Sequence, residues 1–246
     1  MIGKSILLIL VVAGIVGSVL YFVFAFDPGE DTEEDKGDST TPLAEEAIPQ
    51  TQPESAEYSV LFDALWDIDV HTTIPNGAHF SPFVAWTHTQ DNVVFEVGGV
   101  ASEGMKLMAE TGGTDLLKQE LDALKAQGSV GEYVIGELIY SPAQLERELR
   151  ITQDHRYVSV VSMIAPSPDW FVAVQGINAF QDRQWTDYSD IPLNVYDAGT
   201  DSGEEFNAEN QATDPRGTIH LLVDDGINVE ESGGPIARFS LIQKKE

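Results

Sequence analysis

The sequence of 246 residues contains no cysteine. This absence excludes disulfide bonds, cysteine-ligated zinc, iron–sulfur clusters, thiol catalysis and lipid attachment at an N-terminal cysteine. Basic residues are also scarce, because 13 lysines and arginines stand against 41 aspartates and glutamates, for a formal net charge of −28. A surface of this sign repels a phosphate backbone, so we expect no nucleic-acid ligand.

The N-terminus is predicted to be a membrane anchor, over residues 1–26. No charged residue occurs between Ile6 and Phe26, and a helix of that length spans the hydrocarbon core of a bilayer. Lys4 precedes the apolar run and an acidic stretch follows it, so the positive-inside bias places the rest of the chain on the extracytoplasmic side. A signal peptide cleaved after Ala25 is the alternative, and it predicts a secreted protein.

Residues 27–57 are predicted to form a disordered acidic tether. This stretch is rich in Asp, Glu, Pro, Thr, Ser and Gly and has no apolar periodicity. Such a composition buries too little surface to offset the entropy of ordering. From residue 58 to residue 246, apolar residues recur throughout, and we expect one folded domain there.

The domain is predicted to be mainly β, an antiparallel β-sandwich with a short helical insertion. Leu116, Leu117, Leu121 and Leu124 follow a helical spacing, with Thr114 as a possible cap. The segment from Leu145 to Ile151 fits either a helix or a strand. Short β-branched or aromatic runs predict strands at 58–66, 93–97, 133–140, 157–164, 170–174, 218–223 and 236–242.

Two acidic turns are the candidate metal-binding segments. Pro166-Ser167-Pro168-Asp169-Trp170 presents Asp169 on a turn stiffened by two prolines. In Asp197-Ala198-Gly199-Thr200-Asp201-Ser202-Gly203, glycine allows two carboxylates to face one point. Hard cations such as Ca²⁺ take carboxylate and carbonyl oxygens. From spacing alone, a plain turn without a metal remains the competing interpretation.

These turns, together with the segments around them, resemble the spondin domain. The similarity runs from about Tyr58 to about Ile242 and includes the segments 79–88, 99–104, 109–112, 162–172 and 197–203, in order. The resemblance implies a β-sandwich similar to C2 domains, with a calcium ion at one end. It further implies that Asp169, Asp197 and Asp201 are calcium ligands. Ala173 departs from the family pattern, in which glycine is frequent.

Other residues with metal-binding or catalytic chemistry are interpreted structurally. His71, His79 and His88 could form a zinc or copper site, but their spacing matches no local ligand pattern, so we expect them to bond backbone groups or lie at the surface. No serine-nucleophile or zinc-protease motif is present. Four tryptophans are expected in the core rather than on a carbohydrate platform: Trp66, Trp86, Trp170 and Trp185.

The function expected from these features is that of a membrane-tethered, extracytoplasmic, calcium-binding module. Its partner would be a surface protein, a glycan or a lipid headgroup. The chain is not expected to be an enzyme. Two alternatives remain open: a metal-dependent envelope hydrolase, and a purely structural domain that calcium stabilises.

Overall fold

The computed structural model describes residues 52–67, 69–71, 74–91, 94–222 and 234–245. The predicted anchor, and the predicted tether up to residue 51, lie outside these ranges. Within them, neither helix has the length and apolar character needed to cross a bilayer. The first strand begins at Ser55, so the last three residues of the predicted tether belong to the folded domain.

The described part of the domain consists of antiparallel sheets and two helices, which confirms the predicted mainly β fold class. One sheet has the order β10-β13-β1-β5, and the other has the order β12-β11-β7-β6-β3-β4, with β2 also paired to β6. Strands β8 and β9 form a separate hairpin. The elements are β1 Ser55–Ala64, β2 His79–Phe80, β3 Val84–His88, α1 Glu103–Thr111, α2 Asp115–Ala126, β4 Val130–Ile135, β5 Ala143–Thr152, β6 Tyr157–Ala165, β7 Trp170–Asn178, β8 Phe180–Gln181, β9 Gln184–Trp185, β10 Tyr188–Pro192, β11 Asn194–Asp197, β12 His220–Leu221 and β13 Ala237–Gln243.

Among the described residues, the four-stranded sheet is covered on one face only. In β1, Tyr58, Val60 and Phe62 are fully buried, whereas Leu61 and Asp63 lie half-buried on the opposite face. This alternation is typical of an antiparallel strand with one side in the core and one toward water. The buried side chains pack against residues of the second sheet and form the main core.

The second sheet is buried on both faces because the helices cover its outer side. Val160 and Ile164 of β6 belong to the core between the sheets, whereas Val161 and Met163 belong to a second core under the helices. This explains why β6 is a nearly continuous apolar run without alternation. The predicted helical insertion is therefore a layer of the fold, and the residues that the structure describes form three layers.

The helices differ from the prediction in their number and in their caps. An additional helix, α1, precedes the predicted one, and in it Ser102 Oγ accepts a hydrogen bond from the backbone N–H of Met105 at 3.1 Å. In α2, Leu117 and Leu121 are fully buried as their spacing predicts. The side chain of Thr114 makes no capping hydrogen bond.

Two strand predictions are corrected and one ambiguity is settled. In the predicted strand at 93–97, Val94 to Val97 are not in a strand. Phe95 is nevertheless buried, with its ring 5.5 Å from that of Phe171, so burial in the second core explains the apolar run. The predicted strand at 133–140 ends at Ile135. The ambiguous segment at Leu145 to Ile151 lies in β5, paired with β1.

Two adjacent leucines of α2 test the helical layer. Leu117→Ala removes a fully buried side chain and should lower the free energy of unfolding by about 3 kcal/mol. Leu116→Ala is the matched control, because this side chain is 37% exposed, and its effect should be about 0.5 kcal/mol or less. Urea unfolding measures both. Equal effects of the two substitutions would contradict the placement of the helix.

Candidate metal centre

Strand pairing brings the two predicted acidic turns together. Asp169 directly precedes β7, Asp197 ends β11, and the two strands are antiparallel neighbours in which Trp170 is paired with Asp197. The backbone N–H of Ala198 donates a hydrogen bond to the carbonyl oxygen of Asp169 at 3.2 Å. We call the segments 166–169 and 197–203 together the aspartate end of the domain.

One carboxylate oxygen of Asp169 joins the two turns. Asp169 Oδ2 accepts hydrogen bonds from the backbone N–H of Thr200 at 2.6 Å, the Thr200 hydroxyl at 3.1 Å and the backbone N–H of Asp201 at 3.0 Å. The residue is fully buried. These three bonds hold the second turn against the first.

The turns have their own local supports. Asp197 Oδ1 accepts a hydrogen bond from the backbone N–H of Gly199 at 2.6 Å. Gly199 has φ +71°, and a Cβ there would lie 2.7 Å from the carbonyl carbon of Gly217, so only glycine fits. In the other turn, Ser167 Oγ accepts a hydrogen bond from the backbone N–H of Trp170 at 3.1 Å.

The second oxygen of Asp169 has no such support. Asp169 Oδ1 is buried and accepts no hydrogen bond from any of the described residues. Burial, and secondly the charge of Asp197, raise the pKa of Asp169 to about 6. Burial also raises the pKa of Asp197. The hydrogen bond from the backbone N–H of Gly199 and the charge of the His220 side chain oppose this shift. The two carboxyl groups therefore favour a bound positive charge, either a proton or a cation.

Asp201 has a different environment from the other two predicted ligands. Its Oδ1 accepts a hydrogen bond from the backbone N–H of Gly203 at 2.8 Å, and its Oδ2 accepts one from the backbone N–H of Gln211 at 2.9 Å. These bonds order the loop that follows. The ring of Phe206 in this loop lies 5.3 Å from the ring of Trp66 and 5.2 Å from that of Trp170, which fixes the loop to the core.

Across the described ranges, no group of three or more histidine, aspartate or glutamate side chains is placed to hold a metal ion. What the structure brings together is the buried carboxyl group of Asp169 and the half-buried carboxyl group of Asp197, beside Asp201, which orders its own loop. The role of the three aspartates as metal ligands remains a prediction.

Two residues that make contacts at the aspartate end, Thr200 and His220, are not among the candidate site residues chosen from the sequence. Thr200 supplies two of the three hydrogen bonds to Asp169 Oδ2, and its position inside the second turn was the available signal. His220 Nδ1 lies 3.9 Å from Asp197 Oδ1, because β12 pairs His220 with Asp197. The sequence carried no signal for His220, since a pairing of two short strands creates the proximity.

The three histidines of the alternative metal site make separate contacts. His71 Nε2 lies 3.3 Å from the carbonyl oxygen of Gly234, and His79 Nδ1 lies 2.8 Å from that of Gly77. His88 is fully buried, with Nε2 2.9 Å from Ser159 Oγ, and burial lowers its pKa. These contacts agree with the structural interpretation of the three side chains.

The tryptophans are mainly core residues, as predicted. Trp66, Trp86 and Trp170 are buried. Trp185 is half-buried on the β8–β9 hairpin, with its ring 6.2 Å from that of Tyr58.

The raised pKa of Asp169 predicts a specific pH dependence of stability in the presence of a chelator. The folded-state pKa, about 6, lies above the ordinary value of 3.8, so this group stabilises the fold fully below about pH 4 and the contribution is lost as pH rises through 6. Asp169→Asn mimics the protonated group. At pH 7.5 in EDTA it should raise the free energy of unfolding by about 2 kcal/mol, and at pH 4 the gain should vanish.

Urea unfolding at the two pH values measures this difference, with Asp154→Asn as the control because Asp154 is exposed and lies in the turn between β5 and β6. The control should leave stability unchanged within about 0.5 kcal/mol. Equal destabilisation by Asp169→Asn at both pH values would show that the ionised carboxylate is not disfavoured in the fold.

Comparison with known proteins identifies the family. The model of the Spondin_N family matches residues 56–231. Human Spondin-2 (Homo sapiens) is 31% identical over 228 residues, which cover 85% of this chain and 68% of that protein. Rat Spondin-2 (Rattus norvegicus) is 29% identical over 187 residues, or 72% of this chain and 56% of that protein.

Mouse Spondin-1 (Mus musculus) is 27% identical over 176 residues, which cover 68% of this chain but 22% of that protein. The similarity therefore spans only a minor part of Spondin-1, whereas it spans more than half of Spondin-2. The family match and the human relative confirm the resemblance inferred from the residues, and the chain belongs to the Spondin_N family.

Proposed function

We propose that this chain is an extracytoplasmic binding module whose aspartate end binds calcium. Membership of the spondin family supports a binding module, and the sequence contains neither a serine-nucleophile motif nor a zinc-protease motif. The predicted anchor and the acidic tether support a place at the outer surface of a membrane.

The observation that carries the calcium proposal is the unsatisfied Oδ1 atom of Asp169. A buried carboxylate oxygen without a hydrogen bond costs free energy, and the nearby charge of Asp197 adds to that cost. A hard cation held by Asp169 and Asp197 would remove both costs. Oxygen ligands on ordered loops are the donors that Ca²⁺ takes, so the residues present fit this ion.

Asp201 remains the third proposed ligand. Each of its carboxylate oxygens already accepts a backbone hydrogen bond, yet a carboxylate oxygen has a second lone pair for a cation. When bound, calcium would supply positive charge at this end and would hold the two turns together. The loops ordered by this ion would then contact a surface protein, a glycan or a lipid headgroup.

The alternative of a metal-dependent hydrolase has no further observation in its favour and is not proposed. A purely structural role for calcium shares the same site. It differs from the binding role only in lacking a calcium-dependent partner.

Thermal unfolding of the chain at pH 7.5 tests the calcium site. At a calcium concentration about 100 times Kd, linkage predicts a stabilisation of about 2.7 kcal/mol, or a rise in Tm of about 5–10 °C relative to EDTA. Magnesium should give little of this rise, because it demands a stricter octahedral geometry. Asp169→Asn should abolish the response to calcium.

Glu204→Gln is the matched control, since Glu204 is exposed in the same acidic loop and tests attraction by the general negative field. It should keep the full calcium response. If Asp169→Asn responded to calcium as the parent does, the ion would bind elsewhere. If the parent chain itself did not respond to calcium, calcium would have no place in the function.

A further inference from the structure

A second candidate binding site lies on the water-facing side of the four-stranded sheet. An open groove of about 490 Å³ runs across β1, β13 and β10, and none of its lining residues belongs to the aspartate end. Its walls include the apolar side chains of Leu61, Leu65 and Ile242. This volume is in the range of pockets that bind small molecules.

A bulge in β10 shapes one wall of the groove. Tyr188 pairs with Leu241 and Ile191 pairs with Phe239, so β10 contains one extra residue between these pairs. Asp190 in this bulge has φ +57°, a left-handed conformation that is unfavourable for most residues other than glycine. Its backbone N–H donates to Ser240 Oγ at 3.0 Å, and the exposed residue lines the groove.

One residue that lines the groove is an arginine, Arg238, in β13. Arg238 is half-buried, and its Nη1 donates a long hydrogen bond to the carbonyl oxygen of Asp190 at 3.4 Å. Asp63 is its cross-strand neighbour, but Asp63 Oδ1 accepts a hydrogen bond from Gln144 Nε2 at 2.5 Å. Among the described residues, no carboxylate oxygen lies within 4.0 Å of a nitrogen of Arg238.

Neighbouring basic residues on the same sheet face are paired. Arg150 Nε lies 3.9 Å from Glu57 Oε1, and Lys244 forms an ion pair with Glu148. Within the part of the chain that the structure describes, Arg238 is therefore a half-buried guanidinium without a carboxylate ion-pair partner, a positive centre available to a ligand. Because a guanidinium matches a carboxylate with two parallel hydrogen bonds, a carboxylate is its best ligand group.

The other charges of the groove restrict the ligand further. The carboxyl groups of Asp63 and Asp190 would repel a phosphate or sulfate dianion and would attract an ammonium group. The apolar walls favour a hydrocarbon side chain. We propose that the groove binds a small zwitterion, an α-amino acid with an apolar side chain, with its carboxylate on Arg238 and its ammonium group toward Asp63 and Asp190.

L-Leucine is the probe for this proposal. It is titrated into the full chain, and the backbone amide chemical shifts measure its binding. L-Leucine should produce saturable shifts in β1, β10 and β13, with a Kd of about 1 mM. L-Leucinamide lacks the carboxylate and 4-methylpentanoate lacks the ammonium group. Each should bind at least about 10-fold more weakly, because each loses one charge-assisted contact.

Arg238→Gln should weaken binding of L-leucine at least about 10-fold, whereas the matched control Arg150→Gln, on the same face but outside the groove, should bind within about twofold of the parent. Asp190→Asn is a second variant that keeps the fold, because asparagine tolerates a positive φ, and it should also weaken binding.

Three results would overturn the proposal. These are the absence of saturable shifts up to about 50 mM L-leucine, equal binding of all three probes, and unchanged affinity in Arg238→Gln. The calcium site shares no residue with the groove, so its presence or absence does not affect this test.

Discussion

The hydrogen bonds accepted by Asp169 Oδ2 are the interaction on which the organisation of the aspartate end depends. A single buried oxygen receives donors from Thr200 and Asp201, so the turn before β7 and the turn after β11 become one unit. The same geometry leaves Oδ1 buried beside Asp197 with no hydrogen bond from the described residues. The structure therefore places an unfavourable negative charge at a defined position. A proton relieves this cost at low pH, and we propose that calcium relieves it near neutral pH.

The layered architecture explains why this position is well defined. Asp169 follows β6 and precedes β7, which are packed on one face against the four-stranded sheet and on the other against the helical layer. Strands buried on both faces have little freedom to shift, and functional groups on such elements are held more closely than groups on loops alone. Phe206 adds a second attachment, because it packs against Trp66 and Trp170 and holds the loop after Asp201.

Much of the fold follows from the sequence where local pattern and burial agree. The strand at 157–164 and the leucines Leu117 and Leu121 were predicted because their spacing reflects the surfaces that they bury. Val94 and Phe95 were misassigned, since an apolar run also fits an irregular segment that fills the second core. The proximity of Asp169 to Asp197 came from the family resemblance. Neither the position of His220 beside Asp197 nor the hydrogen bond from Gln211 to Asp201 could be predicted, because both join residues that are distant in the sequence.

Proton release on calcium binding tests the central claim most directly. Calorimetric titrations of the chain at pH 6 in buffers of different ionisation enthalpy give the number of protons released per ion. With the pKa of Asp169 raised to about 6, half of these groups are protonated at that pH, so calcium should release about 0.5 proton there and almost none at pH 8. In Asp169→Asn the release should disappear together with binding. Calcium binding without proton release at pH 6 would contradict the account, because Asp169 would then not be a ligand with a raised pKa.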